Sequence, residues 1–193
     1  MIETNIQDKK ELFLKNEFFM LSWGAAVQHN GVWKNNPTQK TKDVFREKIK
    51  VFLEEKLMNT YLTQEEKTDK CPVTEDQHIA IIEELQSESK KHGKDLLIGD
   101  CLNFGICQKL LNMMCKYYWC VGFIEEPPHL PIDSINLKNA GIKGKCWTKD
   151  INDKNDYKKI IDDIRKKTGN KSLAQWEVDN WERRSYKSES CEK

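Results

Sequence analysis

The chain has 193 residues, of which 38% are hydrophobic and 33% charged, and its formal net charge is +1. That length suits one domain able to bury a substantial core, and no apolar run approaches the ~20 residues that span a bilayer. The opening residues Met1 to Asp8 lack the basic-then-apolar order of a secretory signal, so a cytoplasmic protein with no membrane partner is expected.

Gln7–Trp23 carries apolar residues at helical spacing, and Leu12, Phe13, Asn16, Phe19, Met20 and Trp23 share the predicted inward stripe. Turn chemistry follows at His29-Asn30-Gly31 and Asn35-Asn36-Pro37. Thr38–Tyr61 reads as a long amphipathic helix with Val44, Phe45, Ile49, Phe52, Leu53 and Leu57 inward. Past the Cys71-Pro72 break a third helix is expected over 74–91. Thr74 and Gln77 make its capping box and Gly93 its stop. The most apolar helix lies within Leu96–Val121, with an interruption near Asn103–Gly105. Pro127-Pro128-His129-Leu130-Pro131 then blocks helical continuation. Shorter helices are expected over 132–140 and 153–168, the second capped by Asn152 or Asp153 and closed by Gly169-Asn170. A last one runs over Ser172–Arg184, with Leu173 and Trp176 inward and Val178 and Trp181 as further inward candidates. No strand pair, repeat or flexible linker is evident, so the expected class is all-α, a single helical domain over 1–193.

The helix 105–120 leaves only a narrow polar stripe, Lys109, Asn112 and Lys116 at i, i+3 and i+7. Gly105, one turn before Lys109, permits close approach of another backbone. A desolvated lysine loses part of its preference for the charged form and becomes an accessible nucleophile; a head group that snorkels to solvent or pairs with a carboxylate is the plainer reading. Asp133, delivered by the proline loop, is a natural N-cap for a helix starting near 134, and a capping aspartate can also face a cleft.

The seven cysteines (71, 101, 107, 115, 120, 146 and 191) form no C-x-x-C pair. Their spacing matches no zinc or iron–sulfur pattern, so they read as buried thiols, and no metal or cofactor is expected. Charge is uneven: residues 138–193 hold 15 Lys/Arg against 10 Asp/Glu. A basic third of this kind suits a polyanion or merely a solvated surface. Lys166, Lys167, Arg183 and Arg184 are the candidate phosphate contacts.

The stretch Gly105-Ile106-Cys107-Gln108-Lys109-Leu110-Leu111-Asn112, followed by a loop and Pro131-Ile132-Asp133-Ser134-Ile135-Asn136-Leu137, resembles the catalytic core of helix-hairpin-helix DNA glycosylases. The resemblance covers residues 97–168. It implies that Lys109 is the Schiff-base nucleophile and Asp133 the catalytic carboxylate, with Gly105 in the DNA-contacting hairpin and duplex DNA as partner. A modified base would be flipped from the duplex and stacked against aromatic side chains. Candidate walls are Trp23, Trp33, Tyr117, Trp119 and Trp147, for each of which core packing is the plainer reading. His129 and Asn112 are candidate contacts to that base. The chain departs from the family pattern in its hairpin, where Leu102-Asn103-Phe104-Gly105-Ile106 replaces Leu-Pro-Gly-Val-Gly. Its lysine and aspartate also stand 24 residues apart, longer than the commonest spacing. The competing reading is a non-enzymatic helical interaction or regulatory protein of bacterial or phage origin, in which Lys109 and Asp133 form a buried ion pair. A metal site using Cys101, Cys107, His129 or Cys146 ranks third. A cleft opening onto both residues favours the enzyme; burial without a cleft favours the interaction protein.

Overall fold

The computed structural model describes residues 6–28, 30–61 and 72–181. Among them are seven α-helices: α1 Ile6–Trp23, α2 Gln39–Thr60, α3 Glu75–Gly93, α4 Phe104–Cys120, α5 Ser134–Asn139, α6 Lys154–Arg165 and α7 Leu173–Asp179. A π-helical turn, Gly24–Gln28, extends α1. The only extended pairing among these residues is a single bridge between Trp33 and Leu97.

Helix starts follow the side-chain chemistry of their caps. Thr74 accepts from the Gln77 N–H while the Gln77 side chain reaches back to the Thr74 N–H, closing the predicted capping box. Asn103, Asp133, Asp153 and Ser172 cap α4 to α7 in the same manner, each accepting from backbone N–H groups two or three residues on. Asn103 explains the interruption in the 96–121 segment: the chain before it is a loop, and α4 begins immediately after.

Helix α4 is the axis of the molecule. Thirteen of its 17 residues are buried, and it packs against both α1 and α3, while α3 packs on α2. On α2 the inward face is Phe45, Ile49, Leu53 and Leu57, as the periodicity predicts, but Val44 is exposed and Phe52 only half-buried. Helix α1 departs from its predicted stripe. Phe19 and Trp23 are buried with Ser22, whereas Leu12, Phe13 and Met20 face outward. Its C-terminal half alone lies on the core, where Phe18 stacks on Tyr117 at 5.4 Å, so the apolar residues of the first two turns meet no core among the described residues.

Gly93 ends α3, though not through a left-handed conformation. A Cβ there would lie 2.5 Å from Leu97 Cδ1 and 3.3 Å from the Phe45 ring, so the residue is small because Leu97 folds back onto the helix end. At the other end of the chain α7 stops at Asp179 rather than near 184. Leu173 and Trp176 are buried, but Val178 and Trp181 are exposed. The predicted residues His29, Cys71, Arg183, Arg184 and Cys191 lie outside the described residues.

Candidate active site

Gln108, fully buried beside Lys109 on α4, grips one residue of the proline loop at two points. Its amide N–H donates to the Ile132 carbonyl at 2.7 Å, and its amide oxygen accepts from the Ile132 N–H at 3.0 Å. This two-point clamp sets the register of the loop against the helix, and Asp133 is the next residue. Asp133 Oδ1 accepts from the N–H groups of Ile135 and Asn136 at 2.9 and 3.0 Å, which orients the carboxylate. Its second oxygen stands 3.4 Å from Lys109 Nζ. The sequence neighbours Gln108–Lys109 and Ile132–Asp133 thus form two rungs, one structural and one charged.

The ammonium of Lys109 also lies 4.5 Å from the centre of the Trp147 ring, within range for a cation–π attraction. Trp147 is held there by Gly105. A Cβ on Gly105 would fall 2.1 Å from the Trp147 carbonyl oxygen, and the Gly105 N–H donates to the Ile151 carbonyl at 3.1 Å. The close approach foreseen for this glycine is made by the 147–151 segment of the same chain. That contact occupies the N–H that a hairpin would have offered to a phosphate.

Lys109, Asp133 and Trp147 border a cleft of about 500 Å³, which is also lined by Met113, Lys116, Tyr117, Glu177 and Trp181. Lys109 and Asp133 keep 10% and 17% of their side-chain surface exposed, and that exposure opens onto the cleft. The predicted polar stripe of α4 divides here. At 100° per residue Lys116 lies within about 20° of Lys109, Met113 about 40° to one side and Asn112 about 60° to the other. Lys109 and Lys116 therefore face the cleft with Met113 between them, and Asn112 turns into the core.

Three predicted base contacts are accordingly placed elsewhere. Asn112 is buried and donates to Tyr157 Oη at 3.0 Å and Gln108 Oε1 at 3.3 Å. His129 is buried with Nδ1 3.1 Å from Tyr157 Oη and its ring 4.9 Å from that of His78. Trp119 packs half-buried against the core. The Asn112 amide N–H and His129 Nδ1 meet their partners inside the protein, and none of the three lines the cleft. Of the other candidate walls Tyr117 lines it, whereas Trp23 is core and Trp33 packs edge-on to Phe45. Lys166 and Lys167 are exposed at the end of α6 away from the lining, and Lys166 pairs with Asp163 at 2.7 Å.

The buried polar groups behind the cleft are neutral. Burial drives the His78 pKa well below the ordinary histidine value, helped by the neighbouring His129. Burial, with Arg165 and Lys158 nearby, lowers His129 to about 3. Burial likewise raises the Cys107 and Cys115 thiols, and among the described residues no three His, Cys, Asp or Glu side chains converge to hold an ion. None of the described helices is long and apolar enough to cross a membrane.

Lys116, Glu177 and Trp181 complete the cleft. Lys116 stands in the polar stripe of α4, but Glu177 and Trp181 carry no local signal. Their positions follow from α7 packing 61 residues away in sequence, where Glu177 Oε1 accepts from Lys116 Nζ at 2.9 Å. No family model matches this chain. No curated protein and no solved structure matches it either.

Proposed function

We propose that this chain is a base-excision enzyme acting on DNA, a glycosylase that removes a flipped, modified base through a Schiff base on Lys109. The observation that carries the reading is the Lys109–Asp133 pair at the mouth of a cleft of about 500 Å³, with Trp147 as an aromatic wall beside it. That volume lies within the range of ligand-sized pockets. An ion pair serving stability alone gains nothing from opening onto one.

The chemistry follows from the residue types. Asp133, oriented by its two backbone N–H bonds, takes the proton that Lys109 must lose before attack. It hands that proton to the departing base, and the carboxylate so restored carries negative charge next to the positive charge that develops on the sugar. The Lys109 amine attacks C1′, and the bond to the base breaks with its electron pair leaving on the base, which is protonated there. The sugar ring opens as O4′ leaves C1′ and gains a proton, and the lysine nitrogen and C1′ become a Schiff base. Loss of a C2′ proton then expels the 3′ phosphate, which cleaves the strand, and water frees the lysine. Trp147 and Tyr117 offer faces on which an extruded base stacks.

Cleavage of a duplex carrying one abasic site tests this reading. Lys109→Gln, which is one atom shorter but keeps a hydrogen-bond donor, is expected to lower the cleavage rate by at least about 100-fold while leaving the melting temperature within a few degrees. Equal cleavage by both proteins would leave Lys109 and Asp133 as a structural ion pair in a helical interaction protein.

A further inference from the structure

Beyond the Lys109–Asp133 end, the cleft holds a second ion pair that the chemistry above does not use. Lys116 and Glu177 keep only 12% and 6% of their side-chain surface exposed, with Nζ and Oε1 at 2.9 Å, and both line the cleft. Desolvating two charges costs more than a surface pair repays, so a pair held at a cavity wall is informative where an apolar pair would pack as well. Glu177 accepts from no other group among the described residues, which leaves carboxylate lone pairs for a guest.

We propose that Lys116 and Glu177 read the Watson–Crick edge of the extruded base, and that the edge they accept is that of guanine. This inference rests on the cleft receiving a flipped nucleotide. Two features lead to it. The first is length. Lys109 and Lys116 are seven residues apart on α4, so their attachment points lie about 10 Å apart along the helix axis. With the sugar at Lys109, that span accommodates a purine and one hydrogen bond, and a pyrimidine falls short. Met113 lies between the two lysines and gives the ring an apolar, polarisable floor.

The second feature is the order of donors and acceptors. A lysine only donates, and an ionised glutamate only accepts, through two oxygens. The pair therefore presents a donor beside two acceptor sites. Guanine offers the complement, the O6 acceptor followed by the N1–H and N2–H donors. Adenine offers a donor, an acceptor and a C–H. Cytosine offers one donor and two acceptors, and thymine a donor between two acceptors. Each of these sets an acceptor or a C–H against the carboxylate, or a donor against the ammonium, and leaves a desolvated charge unpaired. Hypoxanthine keeps O6 and N1–H but lacks the N2 donor, so it separates the two halves of the match.

The test is equilibrium binding of 2′-deoxyguanosine, 2′-deoxyinosine, 2′-deoxyadenosine and thymidine to the full chain, followed by ligand-observed nuclear magnetic resonance. These probes ask for recognition without chemistry. Deoxyguanosine is expected to bind tightest and deoxyinosine about tenfold more weakly, the loss of one hydrogen bond to a charged group, with deoxyadenosine and thymidine weaker again. In Lys116→Met/Glu177→Leu, an apolar pair that keeps the packing and whose fold is checked by circular dichroism, the ranking is expected to vanish. A wild-type protein that binds the four alike overturns the inference, as does a double variant that keeps the preference. The base-excision reading fails separately. A Lys109-dependent cleavage with unranked nucleosides leaves that reading standing without this one, and a guanine preference without cleavage does the reverse.

Discussion

Asp133 divides its two oxygens between two duties. Oδ1 caps α5 through Ile135 and Asn136, and Oδ2 faces Lys109. The duties are separable because asparagine caps a helix as well as aspartate does, whereas alanine does not. Asp133→Asn is expected to abolish cleavage while Asp133→Ala abolishes it equally and loses about 1 kcal/mol more stability, measured by urea unfolding. Equal stabilities would show that the cap contributes nothing. Gly105 is the other residue with no tolerance. Its missing side chain lets the Trp147 carbonyl approach to a distance a Cβ cannot share, so Gly105→Ala must push the 147–151 segment away from α4. The expected cost is about 1–3 kcal/mol, accompanied by a shifted tryptophan emission as Trp147 moves. An unshifted spectrum at wild-type stability would contradict the packing described.

At the scale of elements, α4 and the proline loop are joined by Gln108, and behind that joint lies a layer of buried polar rings. Tyr61 Oη meets His78 Nδ1 at 2.6 Å, Tyr157 Oη meets His129 Nδ1 at 3.1 Å, and Asn112 ties Tyr157 to Gln108. Both histidines are held neutral by burial, with folded pKa values below the unfolded one. Their neutral forms therefore favour folding above pH ~6.5. As pH falls below that value the unfolded chain takes up protons that the folded chain refuses, and stability drops. Each histidine is expected to contribute about 1.4 kcal/mol of loss per pH unit, continuing for His129 to about pH 3. Urea unfolding between pH 7 and pH 5 measures it, and a flat profile over that range would mean that water reaches the rings. Glu75, 3.5 Å from His129 Nε2 but half-exposed, is the group that would soften the effect.

Across the whole molecule, what was legible in the sequence was what short-range chemistry dictates. Thr74, Asn103, Asp133, Asp153 and Ser172 announce helix starts through their own side chains. Lys109 and Asp133 stood out because a lysine on an apolar helix and a carboxylate after a proline loop are visible without the fold. Glu177 and Trp181 were not visible, since their place in the cleft comes from α7 docking beside α4, a contact between distant segments. Asn112 and His129 lie behind the cleft for the opposite reason: the Asn112 amide N–H and His129 Nδ1 are taken up by Tyr157, and a sequence does not say which polar group already has its partner. The outward face of α1 shows the same limit, because periodicity records an amphipathic helix without recording how far the core beneath it extends.

The chemistry proposed for the cleft turns on Lys109 being a nucleophile rather than half of a structural pair. Borohydride reduction of the protein mixed with an abasic duplex, followed by mass-spectrometric mapping of any cross-linked peptide, addresses it most directly. One covalent adduct is expected, mapped to Lys109 and lost in Lys109→Gln. No adduct, or an adduct on Lys116 or on a surface lysine such as Lys166, would contradict it.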